Sequence, residues 1–143
     1  MKTKYHGEIH IEENEIITFA NGIPGFLEEK KFVILQFGED SGISVMQSVS
    51  NSELAFVVTN PFFFYQEYDF TIDDQVVEQL KLDSEKDVTV YVILTVQDPF
   101  GKTTANLQAP IVLNNKKQLG KQVILTNTSY QTKHNIFEKI TTK

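Results

Sequence analysis

The residues best suited to acid–base or metal chemistry are the three histidines, and two of them stand together: His6, Glu8 and His10 spell H-x-E-x-H. On a helix, two His four residues apart can share one ion. Here Tyr5, Ile9 and Ile11 alternate with Lys4, His6, Glu8, His10 and Glu12, which predicts a strand. A strand rises about 3.3 Å per residue, so the two imidazoles stand about 13 Å apart. One ion bound at about 2 Å cannot bridge that gap, and a polar strand face turned to water is the expectation. His134 is remote in sequence from both, and no G-x-S-x-G elbow supplies it with a nucleophile. The chain has no Cys, which removes thiolate chemistry, disulfides and Cys-ligated metals. No Gly-rich phosphate cradle is present. No cofactor or metal is expected, and the catalytic constellations are weak.

Charge and aromatics are more informative. Residues 1–99 hold 6 Lys and 18 Asp or Glu, and residues 100–143 hold 7 Lys and one Glu, giving −12 and +6 within a total of −6. There is no Arg, so bidentate guanine readout and guanidinium stacking are missing. Such a chain is a poor nucleic-acid binder and a better partner for a basic protein. Six of the 16 aromatics fall within Asn60–Phe70. Extended, that run puts Phe62, Phe64, Tyr68 and Phe70 on one face and Phe63, Tyr65, Glu67 and Asp69 on the other. Aromatics beside acids suit an interface. Asn21-Gly22-Ile23-Pro24-Gly25-Phe26 reads as a rigid corner, with Phe26 as the anchor behind it.

The elements that carry these residues are mostly strands. Val88–Gln97 alternates with period two and predicts a central strand packed on one side. Asp98-Pro99-Phe100-Gly101 turns it, and Thr103–Leu113 returns as the second arm of a long hairpin with one wet face. Pro110 cannot donate to a ladder, which makes its surroundings an edge or a bulge. Glu15–Ala20, Lys31–Phe37, Ile43–Val49, Leu54–Thr59 and Lys121–Thr126 are further strands, the last following a turn at Asn114–Lys117. One helix is expected near Asp73–Lys81, where the two acids suit its N-terminus and Val76, Val77 and Leu80 form a stripe. The tail, Tyr130–Ile140, is either strand or short helix. The prediction is a mostly β fold: a small antiparallel β-barrel-like single domain, residues 1–143, with one short helix. No run approaches the ~18 apolar residues of a spanning helix, and the N-terminus does not read as a secretory signal. A cytoplasmic address and no membrane contact are expected.

Five segments in order carry a resemblance. They are Phe19-x-x-Gly22-Ile23-Pro24-Gly25-Phe26; Leu54-Ala55-Phe56-Val57-Val58 leading to Asn60-Pro61; Tyr68-x-Phe70-x-Ile72 before the helix; Asn106-Leu107-x-Ala109-Pro110-Ile111-Val112-Leu113-Asn114; and Gln122-Val123-Ile124-Leu125. The ordered set, over roughly residues 5–137, resembles the bacterial flagellar assembly factor FliW family. That resemblance implies a non-enzymatic regulator with two protein partners. One is the translational repressor CsrA, held off the flagellin messenger RNA. The other is flagellin, which titrates the regulator and so couples flagellin synthesis to flagellar assembly. The protein is expected to be monomeric when alone.

Local chemistry suggests where the partners touch. For CsrA, whose RNA-binding surface must be positive, the candidates are Glu28, Glu29, Glu39, Asp40, Glu67, Asp69, Asp73 and Asp74. For flagellin they are aromatic or strand-edge residues: Phe63, Tyr65, Tyr68, Asn106, Gln108 and Pro110. Two other classes are distinguishable by structure. A small-ligand or carbohydrate-binding barrel needs a deep pocket lined by Tyr65, Tyr68 and Asn106. A hydrolase needs His6, Glu8 or His134 converging on a nucleophile.

Overall fold

The computed structural model describes residues 1–37, 42–126 and 128–136. Its strands are β1 (Ile17–Thr18), β2 (Lys31–Gln36), β3 (Ile43–Ser48), β4 (Ala55–Thr59), β5 (Val88–Thr95), β6 (Thr104–Ala105), β7 (Ile111–Asn114), β8 (Leu119–Gln122) and β9 (His134–Asn135), and the helix α1 spans Asp74–Gln79. Seven strands close a barrel in the order β1-β2-β3-β4-β5-β7-β8 and back to β1. Every neighbour is antiparallel except β1 and β8, which meet in parallel at Thr18 and Leu119. Gln118 secures that closure: its N–H donors reach the carbonyls of Asn14 and Ile16, and its own carbonyl accepts from Thr18 N at 2.9 Å.

Period-two patterning explains the interior. Phe32 from β2, Met46 from β3, Val58 from β4, and Ile111 and Leu113 from β7 meet Phe19 and Ile23 in one buried cluster, with Tyr91 and Ile93 of β5 against it. Ile23, not Phe26, is the buried anchor of the Asn21–Phe26 corner. Phe26 lies exposed, with its ring 5.7 Å from that of Phe56. Gly22 has φ +67°, and a Cβ there would come within 2.7 Å of the Leu27 Cα, so only glycine fits.

The hairpin side expected to be wet is covered: on β5 it is Tyr91 and Ile93 that turn to the interior cluster, while Val92 and Leu94, expected on the packed side, turn outward. Val112 of β7 packs under Val76 and Leu80 of α1, together with Val123 and Leu125. Val92 and Leu94 of β5 pack under a second outer layer of Tyr68, Ala105, Leu107 and Ile136. The return arm is also not one strand. Tyr91 faces Ile111 and Leu94 faces Ala105, so three steps along β5 are matched by six along the return arm. Three extra residues therefore bulge at Asn106–Pro110, where the proline demanded an interruption. The Asn106 side chain caps the bulge, accepting from Gln108 N and Ala109 N at 3.2 and 3.1 Å.

Further expectations change, and of the strand foreseen at Glu15–Ala20 only Ile17–Thr18 forms, after a 3-10 turn at Glu13–Glu15. Residues 4–12 are not a strand: the chain turns back at Gly7, with a bridge between Lys2 and Glu8, and covers the outer face of β3. There the fully buried Gln47 accepts from Lys4 N. The strand foreseen at Lys121–Thr126 begins at Leu119 and ends at Gln122. In the tail, His134–Asn135 pairs with β6 as a strand, and residues 137–140 lie outside the described part. The helix is shorter than its stripe, capped by the Asp73 carboxylate on Val76 N at 3.1 Å.

Candidate functional site

Pro61 starts a short 3-10 turn at Pro61–Phe63, capped by Asn60. This breaks the extended run that the aromatic alternation required. The chain then descends, and Tyr68 becomes core: it is 4% exposed and its hydroxyl donates to the Leu107 carbonyl at 2.6 Å. Burial, with Tyr130 close by, pushes its ionisation well above the ordinary phenol range. Tyr130 stacks on it edge-on at 4.8 Å, and the Tyr130 hydroxyl accepts from Asp69 N. These anchors hold the segment from Phe62 to Ile72 as one wall of a groove of about 700 Å³. Val77 of α1 and residues 82–85 form the other wall, and Val88 and Val90 of β5 contribute to the floor.

The lining is apolar, from Phe62, Phe70, Ile72, Val77 and Leu82, and acids stand along it: Asp69, Asp83 and Glu85. Residues 67–87, which supply most of both walls, contain eight acids and two Lys, a net of −6. That equals the charge of the entire chain, so the other 122 residues are neutral in sum. Lys117 approaches one rim acid, with its Nζ 3.1 Å from Asp83. The second wall is tied to the barrel by Asn114, which is 1% exposed. Its amide donates to the carbonyls of Leu80 (2.8 Å) and Lys81 (3.1 Å), and its side-chain oxygen accepts from Lys116 N and Lys117 N.

Four of the acidic candidates share this segment. Asp69 lines the groove, Glu67 is exposed beside it, Asp73 caps the helix and Asp74 is exposed in its first turn. Glu28 and Glu29 lie elsewhere, after the glycine corner. Glu29 is pinned by the hydroxyls of Ser50 (2.7 Å) and Ser48 (2.9 Å), which hold its carboxyl below the usual range. Glu39 and Asp40 lie outside the described residues. Asp83 and Glu85, two further acids of the same groove, are not among the candidates. Summing charge over a 20-residue window points to them directly.

The aromatic and edge candidates divide. Phe63 is 63% exposed, and Phe62 is exposed at the groove. Tyr65 is half-buried with its hydroxyl donating to the Asn135 carbonyl, and Tyr68 is buried, which corrects its expected place on the surface. The Asn106–Pro110 edge is not open either. Pro110 is buried, while Asn106 and Gln108 are half-buried. The carbonyls of Leu107, Gln108, Ala109 and Pro110 accept from Tyr68, Leu125, Gln122 and Val123, and the N–H groups of Leu107 and Gln108 donate to Gln131. Backbone pairing with a partner has no free ladder there, because the bulge is already bonded on both sides. Tyr65 and Asn106 do not line the groove with Tyr68, so among the described residues the groove is not the pocket that the alternative ligand-binding reading needs.

The histidines do not converge. His6 approaches the Gln36 carbonyl at 3.0 Å, His10 contacts Glu12, and His134 Nε2 accepts from Gln131 N. Among the described residues no three His, Asp or Glu side chains are grouped to hold a metal ion, and no helix is long and apolar enough to cross a membrane.

Comparison with known proteins agrees with this architecture. A family model described as FliW protein matches residues 1–136. The flagellar assembly factor FliW of Geobacillus kaustophilus is 57% identical over 139 residues, 96% of each chain. The flagellar assembly factor FliW of Bacillus subtilis strain 168 is 52% identical over 134 residues, 94% of each chain. A crystal structure of the flagellar assembly factor FliW superposes with a TM-score of 0.91 at 55% identity, covering 95% of each chain. With the family model matched over residues 1–136 and the barrel over 95% of the chain, the chain belongs to the FliW family of flagellar assembly factors.

Proposed function

We propose that this protein is a non-enzymatic cytoplasmic regulator, one domain over residues 1–143 and monomeric alone. In this reading it binds CsrA and flagellin through the groove face, without touching nucleic acid itself. The observation that carries the proposal is the concentration of the chain's whole net charge, −6, in the 21 residues that form most of the groove walls. A patch of one sign over an apolar floor attracts a basic protein and then holds it by burial. Once docked, the same acids repel RNA phosphate from the partner's neighbouring surface. Two unit charges 4 Å apart interact by about 1 kcal/mol in water and about 4 kcal/mol at an effective dielectric near 20. A few such pairs suffice to displace an RNA without covering its site.

Flagellin competes, in this reading, through the apolar share of the same face, where Phe62 and Phe63 are exposed. The two contacts therefore differ in salt dependence. The test is a binding series of purified protein with CsrA and with flagellin, at 50 and 500 mM salt. It compares wild type with Asp69→Lys/Asp74→Lys/Glu85→Lys and with Phe62→Ala/Phe63→Ala. The charge set should abolish salt-sensitive CsrA binding and restore RNA binding by CsrA. The aromatic pair should weaken flagellin at both salts. CsrA binding that survives the charge set at low salt defeats the proposal.

A further inference from the structure

The barrel wall has one incomplete seam. β4 and β5 pair only at Thr59 with Val92 and Val58 with Ile93. Beyond that point each strand continues with another neighbour. Ala55–Val57 stays in register with Val45–Gln47 of β3, while Leu94 and Thr95 leave the barrel wall to pair with β6, which in turn pairs with β9. The strands diverge because β5 serves two sheets, and a cleft of about 310 Å³ opens between them.

The pleat says which groups face the cleft. Asn106 N donates to the Ile93 carbonyl and Gln97 N to the Thr103 hydroxyl, so Ile93, Thr95 and Gln97 turn their backbone groups toward the β6 side. Leu94 and Val96 turn theirs toward the cleft. On β4, Ser48 N donates to the Leu54 carbonyl, which places the groups of Ala55 and Val57 toward the cleft as well. Ala55 and Val96 would be the third pair further along the ladder, and they do not pair.

An open edge is normally blunted by charge, proline or a covering loop. This one is treated in the opposite way. Charged residues are 22% of the chain, yet none among the described residues lines the cleft. Its exposed lining is Tyr5 (45%), Phe37 (44%) and Val96 (49%), and the tilted rings of Tyr5 and Phe37 lie 5.8 Å apart. We infer that this seam is a strand-addition site for an extended, uncharged partner segment. The segment hydrogen-bonds to the Val96 edge of β5 and lays its alternate apolar side chains against Tyr5 and Phe37. With no acidic side chain in the described lining and the Lys4 Nζ 5.5 Å from the Tyr5 ring centroid, the cleft does not favour the basic partner proposed for the groove, and the inference does not depend on that proposal.

The test uses the full chain, labelled with 15N, and the capped peptide Gly-Thr-Val-Thr-Val-Thr-Gly. The expected result is amide shifts confined to Tyr5, Phe37, Ala55–Val57 and Leu94–Val96. Methylating the peptide nitrogens along one edge should lower affinity at least tenfold, and methylating those along the other edge should not. Val96→Pro removes one edge N–H, and Val96→Asp places charge in the cleft. Both sit at an exposed position past the end of β5, and each should weaken the peptide at least tenfold with the remaining spectrum unchanged. No shifts at millimolar peptide, equal affinity for both methylated peptides, or concentration-dependent shifts without peptide, which would mean a second copy fills the seam, each overturn the inference.

Discussion

Asn114→Ala offers the most direct test of how the groove is built. The side chain makes four hydrogen bonds from a buried position, two to the carbonyls that end α1 and two from the N–H groups of Lys116 and Lys117. Lys116 and Lys117 are exposed, so water replaces the oxygen for them. Lys81 O retains the Lys117 Nζ at 3.1 Å. The carbonyl of the buried Leu80 has no such substitute, and an unsatisfied buried acceptor costs about 1–3 kcal/mol. Adding the cavity left by the amide, the loss is about 2–4 kcal/mol. With a urea slope of about 2 kcal/mol/M, the midpoint should fall by about 1–2 M. Hydrogen exchange should locate the loss, with the amides of Val76–Leu80 exposed first and those of β2 and β3 unaffected below global unfolding. Asn114→Asp separates hydrogen bonding from packing. It keeps the acceptors for Lys116 and Lys117 but sets a carboxylate against two carbonyls. It should be less stable than wild type at neutral pH and recover as acid protonates it. A midpoint shift under about 0.3 M for Asn114→Ala, or one spread evenly over the barrel amides, refutes the reasoning.

Gly22→Ala combines a left-handed backbone with a collision against the Leu27 backbone. It should cost more than the about 1–3 kcal/mol of strained φ alone, read as the denaturant midpoint. At Gly120 a Cβ would stand 2.7 Å from atoms of Leu113 and Phe19 inside the barrel. Gly120→Ala should therefore cost about 1–3 kcal/mol by overpacking. Tyr68 ionises well above the ordinary value near 10 because it is buried, so the unfolded chain releases that proton first. Stability should hold below pH 10 and fall above it, and Tyr68→Phe should flatten the alkaline limb while losing about 1 kcal/mol at pH 7 with the Leu107 bond. The Glu29 carboxyl is lowered by Ser50 and Ser48, so its contribution is present above the usual carboxylate pKa and lost as pH falls through the folded value. Glu29→Gln should flatten the acid limb in a pH series of midpoints.

How much of this was legible beforehand depends on the range of the interaction. The alternation in Lys31–Phe37, Ile43–Val49, Leu54–Thr59 and Val88–Gln97 specified strands, and Asp73 specified where the helix begins, because these signals are written within one or two turns of chain. Pro110 announced an interruption, since a missing N–H is a property of the residue itself. The ordered motifs identified the family for a related reason: they record a whole set of local solutions at once. The acidic run is equally visible as a sum of charge over residues 67–87. Other features depended on contacts between distant residues. Tyr68 and Phe63 look alike in an aromatic run, yet one is core and the other is surface, because the turn at Pro61 and the Leu107 carbonyl 39 residues away decide between them. Val112 sits on a face that local polarity marks as wet, and α1 lying over it, with Val123 and Leu125 beside it, makes it dry. The open seam between β4 and β5 appears in neither strand's own residues. It arises because β5 is claimed by two sheets at once, and a competition for one strand's hydrogen bonds exists only after the chain has folded.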